Sequence, residues 1–417
     1  MGFVIRPKIS DVFTPRTRAV NDDMYVSRAL LESELEESID GHMHTMLFGE
    51  SGNGKSWLYK HVFSKNKTKY VVANCGNALR LGSLTEEIYK VCIPTGSLNN
   101  TVLEESKEAK ANAIVAEGTL GATRSYDVQT DEPLLAAFKC VGNKKTNTVI
   151  VIENLEMLVG NEQLVDELCS IILLLDDERY ALYKIKLLIV GTPNGVGEFF
   201  GVSKNLRSIS NRLEEISKVS GLDQEQIKWI IEKGFIRKLK IELDYDDIDK
   251  LKRVVFHYTL GIAQCVQEYC AQIAKQVQIN DWNYEEDLLK DASANWLRKS
   301  MRAVYSVIES HLNSKETTVG RRNQVIYAIG KINKSPLQPS EIEAVIRKEF
   351  SDTVPETNMG IGSILGELCS AETPILRRNE KAVFYSVVDP LYIMCIRLVL
   401  FKSKTTGKVE RRRFKTG

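Results

Sequence analysis

Two hydrophobic rhythms divide the chain. Between residues 42 and 220, short and almost unbroken apolar runs recur. His42 to Phe48 alternates, turns apolar and stops at Gly49. Tyr70–Ala73, Thr148–Ile152 and Ile185–Val190 follow, the last two nearly pure Val, Ile and Leu. Continuous apolar strands separated by helices predict a parallel sheet covered on both faces. A fifth, weaker strand is read at Glu215–Val219. Ahead of them, Leu30, Leu31, Leu35 and Ile39 fall near helical spacing and predict a helix over Ser27–Ile39, ended by Gly41. From Asp223 the rhythm becomes helical: Gln224–Lys233 closed by Gly234, then Tyr245–Thr259 and Ile262–Gln278. The polar stretch Asn313–Gly320 reads as a linker, and it is followed by helices at Arg321–Ile332, Pro339–Phe350 and Gly360–Cys369. A β-hairpin is then expected from Pro374–Arg378 and Ala382–Val387, and a last helix from Pro390, since Pro suits a first turn.

Three helices followed by a hairpin is the order of a winged helix-turn-helix. The expected organisation is an irregular segment over 1–22, an α/β core over 23–220, a helical lid over 221–312, a winged helix over 321–401 and a basic tail over 402–417. A length of 417 residues fits two or three domains, and 43% hydrophobic residues suffice for sizeable cores. Lys+Arg 56 nearly cancels Asp+Glu 55, which excludes a globally basic nucleic-acid coat and an acidic disordered chain, though not a local basic patch. The longest apolar run, Leu391 to Phe401, is interrupted by Arg397 and falls short of the roughly 20 residues that span a bilayer. Residues 1–10 show no apolar signal-peptide core. Eight scattered cysteines without a CxxC pair read as buried thiols, so the cytoplasm is the expected compartment.

The chemistry concentrates in Gly49-Glu50-Ser51-Gly52-Asn53-Gly54-Lys55-Ser56, which fits G-x-x-x-x-G-K-[ST] with a predicted strand before it and a helix after it; these eight residues and Trp57 are the expected nucleotide-binding set. The glycines let backbone N–H groups curl around a β-phosphate. Lys55 reaches the β- and γ-phosphates, the Ser56 hydroxyl ligates Mg²⁺, and the helix N-terminus adds a favourable dipole. ATP and Mg²⁺ are therefore the expected ligands. The strand Thr148–Ile152 ends in Glu153, placed to hold the magnesium beside Ser56. The next residue is Asn154, which can orient a water but cannot take its proton. Glu156 could take it if the turn presents that carboxylate inward; solvated strand-end carboxylates are the other reading of Glu153 and Glu156.

The fourth strand ends in Val190-Gly191-Thr192-Pro193-Asn194. Thr192 or Asn194 could sense a γ-phosphate there, and a plain β-turn is the alternative. Just before the fifth strand, Arg212, or else Arg207, is placed to project from one protomer into a neighbour's nucleotide, an arrangement able to raise turnover about 10³–10⁵-fold. A solvated helix face is the other reading.

Together these motifs resemble the AAA+/STAND superclass of P-loop ATPases, most of all its origin-recognition and transposition-regulator branch and bacterial STAND-like ATPases of antiphage defence. The resemblance covers nearly the whole chain. It implies an AAA+ core with a five-stranded parallel sheet, an α-helical lid and a C-terminal winged helix. Asn21-Asp22-Asp23-Met24-Tyr25-Val26-Ser27-Arg28 is similar to the aromatic-aliphatic-x-Arg box that packs on adenine, which implies adenine contacts for Tyr25, Val26 and Arg28. Ile152-Glu153-Asn154-Leu155-Glu156 is similar to the STAND form of the acidic motif, and Val383 to Tyr392 to the end of an archaeal-type winged helix. Two departures stand out: Glu153-Asn154 replaces Asp-Glu, and Gly261-Ile262-Ala263-Gln264 replaces Gly-x-x-Arg. Both point to slow hydrolysis.

His42-x-His44 lacks a third ligand nearby and fits strand alternation better than a metal site. Residues 93–133 form a polar stretch between the second and third strands, either functional or disordered. Lys402 to Lys415 carries a strong positive excess, suited to phosphates or to a solvated tail. The third winged-helix segment, around 358–369, carries no Lys or Arg, which argues against major-groove reading. The expected function is an ATP-dependent, slowly hydrolysing switch that oligomerises or regulates a partner effector. The alternatives are a DNA-associated loader or regulator and a plain nucleotide-binding protein.

Overall fold

A computed structural model describes residues 5–93, 131–191, 206–313, 319–355, 359–379 and 384–412. The polar stretch 94–130, together with Thr192 and Asn194, lies outside the described residues. The chain divides into two compact units, Ser27–Ser220 and Met1–Val26 joined with Gly221–Gly417.

The unit Ser27–Ser220 is built on five parallel strands: β1 (His44–Phe48), β2 (Tyr70–Asn74), β3 (Thr148–Glu153), β4 (Ile185–Gly191) and β5 (Leu213–Glu215), in the order β2-β3-β4-β1-β5. The unbroken apolar runs have the predicted consequence. Ile150, Ile152, Leu187 and Ile189 pack on one face of the sheet, and Val149, Val151, Leu188 and Val190 on the other. The lone cation of β4, Lys186, donates to the carbonyls of Ser38 and Gly41 at the C-terminal end of the helix Ala29–Asp40, where a positive charge is favoured. Burial holds its pKa at about 8. His44 accepts the backbone N–H of Leu187 at 3.3 Å, and burial lowers its pKa to about 4. It is a satisfied sheet histidine.

The fifth strand lies earlier than predicted. Leu213–Glu215 is the regular part, and Ile216 and Val219 still donate to the carbonyls of Met46 and Phe48 at 3.3 and 2.9 Å. The expected run Glu215–Val219 therefore follows β1 without a regular register. Because β1 sits inside the sheet, between β4 and β5, the loop that leaves it opens at the carboxyl ends of the central strands. Open α/β sheets bind ligands there.

In the other unit, the N-terminal segment is less irregular than expected. Ile9–Val12 forms one helical turn, and Ile9, Val12, Phe13 and Met24 are buried in the same core as Ile230, Ile231 and Phe235. The helix beginning at Gln224 also corrects the sequence reading, because it does not end at Gly234. It is α-helical over Gln224–Ile231 and continues as a π-helix over Glu232–Lys238. Gly234 is there for packing: a Cβ on it would lie 2.6 Å from Phe13 Cζ. Tyr245–Thr259 is helical as predicted, and Ala263–Ile279 matches its prediction within a residue.

Farther on, the helices Arg321–Lys331, Pro339–Glu349 and Ile361–Ser370 precede an antiparallel pair, β6 (Leu376–Arg378) and β7 (Tyr385–Val387), and the helix Pro390–Val399. β8 (Leu400–Lys402) and β9 (Val409–Arg411) form a second antiparallel pair. Among the described residues no helix is long and apolar enough to cross a membrane.

Candidate functional site

The site lies at the carboxyl end of β1. Three loop glycines take positive φ: Gly49 at 149°, Gly52 at 80° and Gly54 at 90°. Two of them are required for different reasons. A Cβ on Gly49 would lie 2.4 Å from the carbonyl oxygen of Val219, so no side chain fits. Gly54 has open space around it, and only its left-handed backbone, which turns the loop into the helix Lys55–Asn66, excludes other residues. Asn53 is 2% exposed and fastens the loop by donating to the same Val219 carbonyl at 3.0 Å. Glu50, at the loop's outer edge, pairs with Lys218 at 3.3 Å. Ser51 is exposed, and Trp57 is half-buried on the helix.

Lys55 is held over this loop. Its Nζ donates to the carbonyls of Gly49 at 2.6 Å and Glu50 at 3.0 Å. Burial lowers its pKa, while Glu156 and Glu50 pull in the opposite direction. The ammonium is thus partly desolvated and rests on two backbone carbonyls of the loop.

Ser56 and Glu153 meet as the sequence predicts, with the Ser56 hydroxyl donating to Glu153 Oε1 at 2.8 Å. Tyr59 was not foreseen. Its hydroxyl donates to the same Oε1 at 2.8 Å, and burial together with Glu153 raises its pKa. The available signal was spacing, since three residues along a helix return to the face of Ser56. Hydroxyl and carboxylate oxygens are hard donors that suit Mg²⁺, so these residues fit that ion.

Asn154 takes a left-handed conformation, φ 61° and ψ 46°, and leads into a 3₁₀ turn over Leu155–Leu158. This turn brings Glu156 inward. Its Oε2 lies 2.7 Å from where a Cβ on Gly191 would stand, so the carboxylate rests against the end of β4. Its charge opposes the effect of burial on Lys55.

The remaining candidates are more dispersed. Arg212 is tied to its own chain, bonded to Asp176, the Ser208 carbonyl and Asn211 Oδ1. Its side chain is 30% exposed. The side chain of Arg207 lies outside the described residues. Arg28 donates to the Ser220 carbonyl at 2.8 Å, while its backbone N–H and the Ser27 hydroxyl bond to Glu32. Tyr25 and Val26 belong to the other compact unit, where Val26 packs against the apolar core. In that unit Gln264 donates to Glu268 Oε1, which also accepts from Arg16, each at 3.0 Å.

No family model and no curated protein sequence matches the chain. Solved structures do. The chain is similar to a Walker-type ATPase of Pyrococcus abyssi, with a TM-score of 0.50 and 12% identity over 89% of this chain and 96% of that one. Lower TM-scores relate it to the Cdc6p of Pyrobaculum aerophilum (0.45, 16% identity, 95% of this chain and 98% of that one). The ORC1 protein of Aeropyrum pernix, solved in complex with DNA, stands between them (0.47, 14% identity, 93% and 95%). The likeness to the Walker-type ATPase shows a shared fold, an α/β architecture on a five-stranded parallel sheet with a glycine-rich loop after β1.

Proposed function

We propose that the protein binds ATP with Mg²⁺ in the loop Gly49–Ser56, hydrolyses it slowly, and uses the bound and hydrolysed states as a switch. The observation that carries this reading is the convergence of Lys55, Ser56, Glu153 and Glu156 on one loop. In this assignment the loop N–H groups and Lys55 hold the phosphates, and Ser56 and Glu153 hold the magnesium. The ion supplies neutralisation of charge on the phosphate oxygens. Asn154 orients the attacking water and Glu156 accepts its proton. Asn cannot be a base, and Glu156 is displaced from the usual position next to the metal carboxylate, so turnover is slow. Arg212 serves a neighbouring protomer, and Tyr25, Val26 and Arg28 contact adenine.

For the output we favour oligomerisation and docking on a partner protein over reading of DNA sequence. The helices 321–331, 339–349 and 361–370 with the β6–β7 pair serve as a winged helix in this view. Its third helix, Ile361–Ser370, carries no cation, and Ile361, Leu365 and Leu368 are spent on the core. The antiphage setting rests on the sequence resemblance and is tested by plaque counts with and without Lys55. The biochemical test is thermal melting with Mg-ATP. At a hundred times the dissociation constant, a ligand that binds only the folded state adds about 2.7 kcal/mol. The melting temperature should rise in the wild type and stay constant in Lys55→Ala. An equal rise in both proteins overturns the assignment.

A further inference from the structure

The carboxylate at the end of β3 is held by a residue from outside the phosphate loop. Tyr59 lies on the helix Lys55–Asn66, and its fully buried ring shares a core with Val149 and Val151 of β3. Phe63 and Tyr70 stand beside it, with ring centroids 5.5 and 5.9 Å away. A ring packed on all sides has little freedom to turn, so its hydroxyl keeps a fixed place. That place is 2.8 Å from Glu153 Oε1, and the Ser56 hydroxyl is also 2.8 Å from the same oxygen.

The two oxygens of this carboxylate are therefore unlike. Each carboxylate oxygen offers a pair of acceptor sites. Two hydroxyl donors fill both sites on Oε1. No described residue donates to Oε2, which is the oxygen left for a cation. Glutamate is among the side chains with the most rotamer freedom. On so mobile a stem, a carboxylate without a second holder can swing both oxygens onto an ion.

The number of oxygens offered matters to the ion. Mg²⁺ demands a near-octahedral shell and keeps several waters, whereas the larger Ca²⁺ takes more oxygens and readily accepts both oxygens of one carboxylate. Resting on the reading that the loop Gly49–Ser56 binds a nucleotide with Mg²⁺, we propose that Tyr59 is a positioning residue that selects the ion. By filling the second acceptor site of Oε1 it confines Glu153 to a single available oxygen, and so favours Mg²⁺ over Ca²⁺. Its hydroxyl touches neither nucleotide nor metal and acts through Glu153. Ser56 cannot do this alone, because one donor leaves an acceptor site of Oε1 open.

The test reads ion binding without turnover. The melting temperature of the full chain is followed in saturating ADP while Mg²⁺ or Ca²⁺ is titrated, which gives an apparent affinity for each ion. Tyr59→Phe keeps the ring and removes the donor. Its ratio of Ca²⁺ to Mg²⁺ affinity should exceed that of the wild type by about fivefold or more, the fold-change equivalent to one net hydrogen bond. A loss of stability shifts both titrations alike and cancels in the ratio, so a merely structural hydroxyl would leave the ratio unchanged. Tyr70→Phe, which alters the neighbouring ring, should keep the wild-type ratio. An equal rise there would assign the effect to the aromatic cluster and overturn the proposal. Infrared difference spectra of the wild type decide the matter if Tyr59→Phe does not fold, with the Glu153 bands identified by their loss in Glu153→Gln. The separation of the two carboxylate stretches should be that of a single engaged oxygen with either ion. The narrower separation of two-oxygen ligation overturns the proposal. If neither ion raises the melting temperature of the wild type in ADP, the ATP reading falls and the proposal with it. If the ions act in the wild type and Tyr59→Phe leaves the ratio unmoved, the proposal alone falls.

Discussion

Glu153 Oε1 accepts hydrogen bonds from both Ser56 and Tyr59, and this defines how the carboxylate is oriented. Removing the Tyr59 hydroxyl deletes one of the two donors. Tyr59→Phe should cost about 1 kcal/mol of stability, the usual net worth of one such bond, read as a lower urea midpoint. An unchanged midpoint would show that Ser56 alone orients Glu153. Glu156 has a different task. Its oxygen rests against Gly191 and its charge acts on Lys55, whereas the hydroxyls of Ser56 and Tyr59 bond to Glu153. Glu156→Gln should cut turnover by about 10²–10⁴-fold, the range for a positioned general base, with nucleotide affinity retained. If Glu153→Gln alone abolishes turnover and Glu156→Gln leaves it intact, Glu153 is the sole catalytic carboxylate. Most of these residues were legible from the loop motif and the strand end. Tyr59 was not, because a tyrosine on a helix reads as core, and its ring is indeed fully buried.

The clearest difference between reading and observation at the scale of elements is the helix that begins at Gln224. Its capping box, Asp223 with Gln226, is a local signal, and the helix starts where that signal puts it. Gly234 resembles an equally local stop. The helix passes through it because Phe13, more than two hundred residues earlier, needs the space that a side chain would fill. Gly234→Ala should therefore destabilise the protein by about 1–3 kcal/mol, the cost of overpacking, although alanine is the better helix former. Urea unfolding measures it, and Phe13→Leu in the same chain should restore part of the loss. A stabilised Gly234→Ala would mean that the glycine is a helix defect and nothing more. A similar cause shifted the fifth strand: Leu213–Glu215 holds the register against β1, while the more apolar Ile216 and Val219 keep only single hydrogen bonds to it.

For the whole molecule, the question is how one copy acts on another. Arg212 is bonded within its own chain to Asp176 and to neighbours on its own turn, and 30% of its side chain remains exposed. If it serves a neighbouring protomer, it exchanges those partners for the neighbour's phosphate on assembly. Arg212→Ala should then lower turnover by about 10³-fold or more without changing the monomer's affinity for ATP. Mixing this variant with Lys55→Ala should restore part of the activity, since one composite site then has both an intact loop and an intact arginine. No recovery at any ratio, with mixed oligomers confirmed, places the arginine in cis or outside catalysis.

The sequence by itself determined the parallel sheet, the phosphate loop, the carboxylate at the end of β3 and the succession of helices after residue 223. Each rests on interactions close in the chain: side-chain periodicity, glycine conformation and helix capping. Only the tertiary structure decided that residues 5–26 pack with the helices beyond 221, that Glu156 rests against Gly191, that Val219 closes the loop against Gly49 and Asn53, and that the basic segment folds back to line a cavity with Arg397. Those outcomes depend on which distant surfaces meet. A spacing of more than a hundred residues leaves no periodic trace in the chain, and an apolar or charged side chain reads the same whether it faces the core, the solvent or a ligand.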